Sequence, residues 1–177
     1  MCLQVVFNMM VSTVIVHVCG IPGSGKTSYS EWLERQKGFL HLEFDQLLHG
    51  LGTQFKLSLI ELLKANPDAF ISRLFQTGQS TVIDWGFSLS DLSLVCRLQQ
   101  RGTVTWWFDG DRKAARQAFI ERRTVSPEAL QVQMDSIARN WQAIKEIIGT
   151  RIIKTVAPGP THAAPEWIFD QMFRQKP

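Results

Sequence analysis

The residues with the clearest chemical signature are Gly20-Ile21-Pro22-Gly23-Ser24-Gly25-Lys26-Thr27, which match G-x-x-x-x-G-K-[ST] in full. With average residue usage, four fixed positions recur by chance in roughly one chain of this length in two hundred. Glycines at these spacings let successive backbone N–H groups converge on phosphate oxygens, and a helix starting at the end of the loop adds its partial positive charge. A lysine at position seven reaches the β- and γ-phosphates, and the hydroxyl after it is a Mg²⁺ ligand. The pattern predicts that Gly20 through Ser28 bind a nucleoside triphosphate, with Lys26 on the phosphates and Thr27 on the metal.

Three further groups have residue types that such chemistry uses. Asp84 follows the β-branched run Thr81-Val82-Ile83. A carboxylate at the carboxyl end of a parallel strand is placed to hold a Mg²⁺-bound water, although Asp84 could also simply open a turn with Gly86. Glu43 and Asp45 end a second apolar run, and a carboxylate there could orient an acceptor hydroxyl and take its proton. Asp45 is the candidate base. Glu43 is a weaker candidate that could pair with a basic neighbour, and His41 reads as structural. Arg112, Arg116 and Arg123, with Arg122 beside them, cluster on one side of a helical pattern. They suit either a solvated basic face or a lid whose guanidiniums neutralise transferring phosphates, with Arg116 and Arg123 in catalytic roles. Asp109 and Asp111 read as turn and cap residues. Trp85 and Phe87 either wall the acceptor site or cover core.

These groups need a scaffold, and the pattern supplies one. Strand signals at Thr13–Val18, Phe39–Phe44, Ser80–Ile83, Thr103–Phe108 and Arg151–Val156 alternate with helical ones, predicting βαβ units and a parallel α/β sheet. Helices are expected over Thr27–Lys37, in two pieces from Gln54 to Thr77 with Asn66 capping the second, and over Ser90–Arg101 and Asp111–Arg123. A single long helix from Ser126 carries the stripe Leu130, Met134, Ile137, Trp141, Ile144 and Ile148, followed by a terminal helix through Trp167 and Phe173.

The 177 residues fit one domain over 1–177, with Met1–Val11 an extension the fold does not need. A formal charge of +3 with dispersed basic residues counts against nucleic acid as the favoured partner. Cys2, Cys19 and Cys96 form no C-x-x-C pair, which points to a reducing, cytoplasmic setting rather than a disulfide framework or zinc site. Cys19, beside the phosphate loop, reads as a small buried residue. The first nineteen residues contain no Lys, Arg, Asp or Glu, but they lack the basic start of a signal peptide and are too polar to span a membrane.

The motifs G-I-P-G-S-G-K-T, E-F-D at Glu43–Asp45 and V-I-D at Val82–Asp84, with an arginine-bearing helix after the fourth strand, resemble the small P-loop kinases. That group includes adenylate kinase, shikimate kinase, chloramphenicol phosphotransferase, zeta toxins and the kinase domain of polynucleotide kinase. The resemblance covers nearly the whole chain from Ser12. It implies a three-layer P-loop fold with a five-stranded parallel sheet in the order 2-3-1-4-5 and an acceptor-binding helical insert over 46–77. It also implies an arginine lid within 112–126, Asp45 as general base, ATP as donor with Mg²⁺, and adenine against Val156–Gly159. The expected activity is transfer of the ATP γ-phosphoryl group to a hydroxyl of a small molecule or nucleotide. The alternatives are a polynucleotide or nucleotide-sugar kinase and, from another class, a nucleotide-dependent switch that controls a protein partner.

Overall fold

The computed structural model describes residues 13–86, 91–121, 126–159 and 161–174. Five strands build one sheet: β1 (Ile15–Gly20), β2 (Leu40–Glu43), β3 (Thr81–Asp84), β4 (Val104–Gly110) and β5 (Ile152–Val156). Every pairing is parallel and the spatial order is β2-β3-β1-β4-β5, the order implied by the resemblance. The central strand β1 is buried throughout, which its near-continuous apolar composition requires.

Alternation along the strands sends side chains to two faces. On one face Val16, Val18, Val82 and Phe108 pack with Tyr29 and Leu33 of α1 (Lys26–Lys37) and with Ile168 and Met172 of α9 (Pro165–Phe173). On the other, Ile15, Leu42 and Ile83 meet α2 (Phe44–Leu48), α3 (Gln54–Ala65), α4 (Pro67–Gln76) and α5 (Leu92–Gln100). Farther along that face, Cys19, Ile21 and Trp107 pack with Ala114 and Ala115 of α6 (Arg112–Glu121) and with Ile144 and Ile148 of α8 (Trp141–Ile148). The remaining helix, α7, spans Pro127–Arg139. No helix among the described residues is long and apolar enough to cross a membrane.

Several expected boundaries are corrected. The second strand stops at Glu43 because Phe44 is buried against Phe70 and Trp85, and the chain turns there into α2. The long helix after Ser126 is two helices: Asn140 adopts φ −110° and ψ 15° and donates its side-chain amide to the Ser136 carbonyl. The apolar stripe survives this break, and Trp141 packs against Trp107 with ring centroids 5.6 Å apart and planes tilted by 57°. Asp109 is not a turn residue. It lies in β4 opposite Lys154 of β5 and pairs with it. The helix expected from Ser90 starts at Leu92, and Ser90 itself lies outside the described residues, as do 1–12.

Candidate active site

The phosphate loop links β1 to α1, as the motif demands. Gly23 (φ 76°) and Gly25 (φ 83°) sit in the left-handed region, which a side chain disfavours. A Cβ on Gly23 would also overlap the carbonyl of Ala115, so the loop lies directly on α6. Lys26 Nζ donates to the carbonyls of Gly20 at 3.3 Å and Ile21 at 3.1 Å, holding the ammonium over the loop. Thr27 is half-buried in the first turn of α1, with Ser28 exposed after it. Ser24 is buried, and its hydroxyl makes no hydrogen bond among the described residues.

The carboxylates gather at the same sheet edge. Glu43 and Asp84 stand opposite each other in the register of β2 and β3. Asp84 is 4% exposed, and its Oδ2 accepts no hydrogen bond among the described residues. A buried carboxylate oxygen without a donor has a lone pair to offer a cation or its hydration water. Asp45 reaches the site from the first turn of α2, not from a strand tip, and that position favours its negative charge. Its pKa is raised by partial burial and then by Asp84, while Lys26 and His49 pull it down. Asp45 is solvent-exposed as a residue, yet its carboxyl is screened by enough protein for desolvation to lead. Glu43 is raised by burial and by Asp84, with His41 and Gln46 opposing. Asp45, Asp84, Glu43 and Lys26 therefore share one electrostatic neighbourhood.

His41 is buried between carboxylates, with Nε2 3.7 Å from Asp84 and Nδ1 3.9 Å from Glu34. Together with Glu43, Gln46, Leu51 and Lys56 it borders a cavity of about 280 Å³ between α1, β2 and α3. Trp85 is 8% exposed and packs on Phe44 at 5.3 Å, so it covers core. His17, unremarked in the sequence, bonds through Nε2 to the Trp85 carbonyl and holds the exit of β3; burial pushes its pKa down to about 4. Cys19 is fully buried, donates to the Trp106 carbonyl, and burial pushes its thiol far up, so it is no thiolate.

The helix after β4 is anchored by Ala114 and Ala115 and turns Arg112 and Arg116 to solvent. Neither arginine forms an ion pair among the described residues. Arg122, Arg123 and Phe87 lie outside the described residues. Asp111 caps α6 by accepting from the Ala114 N–H at 2.7 Å. Between this helix start and the β5–α9 loop lies a cavity of about 480 Å³, bordered by Gly110, Asp111, Val156, Pro158 and His162. A neighbouring space of about 460 Å³ reaches Gln117 and Gly159.

Two contacts on the phosphate loop had no sequence signal. Thr155 Oγ1 donates to the Ser24 carbonyl at 2.8 Å, and His162 Nε2 bonds the Gly23 carbonyl at 2.9 Å. Both residues sit more than a hundred positions from the motif, one in a strand and one in a loop.

Among the described residues no group of three or more His, Cys, Asp or Glu could hold a metal ion alone. A small cation at this edge would use Thr27, Asp84 and its bound water with phosphate oxygens, the sparse protein set that suits Mg²⁺.

No protein-family model matches the sequence, and no curated protein matches it. Solved structures do match the fold. A shikimate kinase from Acinetobacter baumannii in complex with shikimate superposes with a TM-score of 0.58 at 11% identity, over 92% of this chain and 94% of that one. A sugar kinase from a Janibacter species gives 0.52 at 19% identity, over 92% and 93%. An uncharacterized protein from Eubacterium ventriosum gives 0.52 at 13% identity, over 92% and 97%. The chain has the fold of the small P-loop kinases.

Proposed function

We propose that this chain is an ATP-dependent kinase that transfers the γ-phosphoryl group to a hydroxyl of a small molecule. One observation carries the reading. Strand β1, which runs into the phosphate loop, pairs with β3 so that Val18 stands opposite Asp84. Glu43 stands opposite Asp84 on the other side, and Asp45 follows in the first turn of α2, so loop and carboxylates meet at one end of the sheet. A loop that only bound a triphosphate would need no carboxyl on its acceptor side, poised near the ammonium that holds the phosphates.

In this reading the loop N–H groups and the α1 N-terminus cradle the phosphates, and Lys26 leaves its carbonyl contacts to follow the charge on the γ-phosphoryl group. Asp45 accepts a hydrogen bond from the acceptor hydroxyl and takes its proton as the new O–P bond forms and the bond to the β-phosphate oxygen breaks. Arg116, with Arg123, neutralises charge spread over the transferring group. Bound Mg²⁺, held through Thr27 and Asp84, would draw charge from the phosphate oxygens. The nucleotide's adenine would occupy the space between α6 and Val156–Gly159. The acceptor enters beside β2, α2 and α3. The small charge of the chain and the fold shared with a shikimate kinase and a sugar kinase favour a small hydroxylated acceptor over a nucleic-acid end.

The test is acceptor-dependent turnover: ADP release from Mg·ATP should rise above basal hydrolysis with a hydroxyl acceptor and fall in Asp45→Asn. Retained turnover in Asp45→Asn would remove Asp45 from the mechanism.

A further inference from the structure

A phosphate loop can aim its N–H groups inward only if its carbonyls are held outward. Some of this is local: the Ile21 carbonyl accepts from the Ser24 N–H at 3.2 Å, and that of Gly25 from the Tyr29 N–H at 3.0 Å. The Gly23 and Ser24 carbonyls, at the tip, are held from the far end of the chain. Thr155 serves Ser24 at 2.8 Å, and His162 serves Gly23 at 2.9 Å. A carbonyl only accepts, so His162 Nε2 carries the proton in this bond. The ring also blocks the space beside Gly25, where an added Cβ would come within 2.9 Å of its Cδ2.

The loop carrying His162 is itself braced. His162 bridges Val156, the Ala157 N–H donates to the Thr161 carbonyl at 3.2 Å, and the Ala163 N–H donates to that of Thr155 at 2.8 Å. The same ring borders the 480 Å³ cavity together with Val156 and Pro158. One short segment therefore touches both the space for a base and the outer side of the phosphate cradle.

We propose that His162 is a positioning residue that clamps the carbonyl side of the phosphate loop, so that nucleotide base and triphosphate are gripped by one connected unit. The inference rests on the reading of Gly20–Thr27 as a triphosphate site. It assigns His162 no contact with the reacting atoms. Without the clamp the Gly23–Ser24 peptide is held only through its N–H bond to the Ile21 carbonyl, its own carbonyl is released, and the loop N–H groups keep their common aim less firmly.

The experiment titrates Mg·ATP, and separately inorganic tripolyphosphate with Mg²⁺, into the wild-type chain and its His162→Ala, His162→Phe and His162→Gln variants, with the nucleotide-free melting temperature of each recorded. Phe keeps the ring packing without the donor, and Gln keeps a donor without the ring. Loss of one hydrogen bond's worth of loop order should weaken both ligands about tenfold in the Ala and Phe variants. Gln should recover most of that affinity, and the Phe variant should melt as the wild type does. Equal ATP affinity in wild type, Ala and Phe would overturn the inference. So would a uniform loss in all three variants that tracks a lower melting temperature, since that is a purely structural role. If the wild-type chain binds neither ligand, the triphosphate reading itself falls and takes the clamp with it.

Discussion

The carboxyl of Asp45 sits in competing fields, and its titration is a direct prediction. Burial and Asp84 raise it above its ordinary value of 3.8, while Lys26 and His49 hold the rise in check. A base works only when deprotonated, so turnover should be lost as pH falls through this raised pKa, at higher pH than an ordinary aspartate would give. Replacing His49 with Asn removes one lowering influence and should move the acid limb of the pH–turnover profile further up. A limb that does not move would separate Asp45 from the rate. Replacing Asp45 with Asn should cut turnover about 10²- to 10⁴-fold while ATP binding, read by calorimetry, stays intact. Lys26 could be picked out in the sequence because it belongs to the glycine-rich motif, and Asp84 and Asp45 because each closes or follows a strand. His162, Thr155 and His17 could not, because nothing in a lone His or Thr marks which distant carbonyl it will meet.

At the scale of elements, alternating strand and helix signals were enough to foresee the parallel sheet, and single residues explain where boundaries moved. Phe44 continues an apolar run and reads as strand, yet its ring is used by Phe70 and Trp85, partners far along the chain. Asn140 interrupts a stripe whose periodicity passes straight through it, and the break came from a side-chain bond that periodicity does not register. Caps were more readable. The Asn66 side chain accepts from the Asp68 and Ala69 N–H groups, as Asn before Pro67 suggests. Its replacement with Ala should cost about 1 kcal/mol in denaturant unfolding. Since α4 lies away from the phosphate loop, ATP affinity should not change. A Gly23→Ala variant should behave in the opposite way, with its positive φ strained and its methyl against the Ala115 carbonyl. It should lose ATP binding, measured in the same titration.

The whole molecule gathers acidic groups at one end of its sheet, and that arrangement costs stability when no ligand is bound. Glu43 and Asp45 both have folded-state pKa values above their ordinary 4.5 and 3.8. The folded chain thus binds more protons than the unfolded one in that window. Stability should fall as pH rises from about 4 through the raised values, an effect that Asp45→Asn should flatten in pH-dependent melting. A ligand that binds only the folded chain adds stability by mass action, about 2.7 kcal/mol at a hundredfold excess over its dissociation constant, so Mg·ATP should raise the melting temperature. Binding alone would suit a switch as well as a kinase. The most direct measurement is therefore a screen of hydroxyl-bearing small molecules for ADP release above basal hydrolysis, with the phosphorylated product identified by mass. The account predicts at least one acceptor that stimulates release and gains one phosphoryl group in the wild-type chain but not in Asp45→Asn. Stimulation by a protein partner alone, with no acceptor phosphorylated, would contradict it.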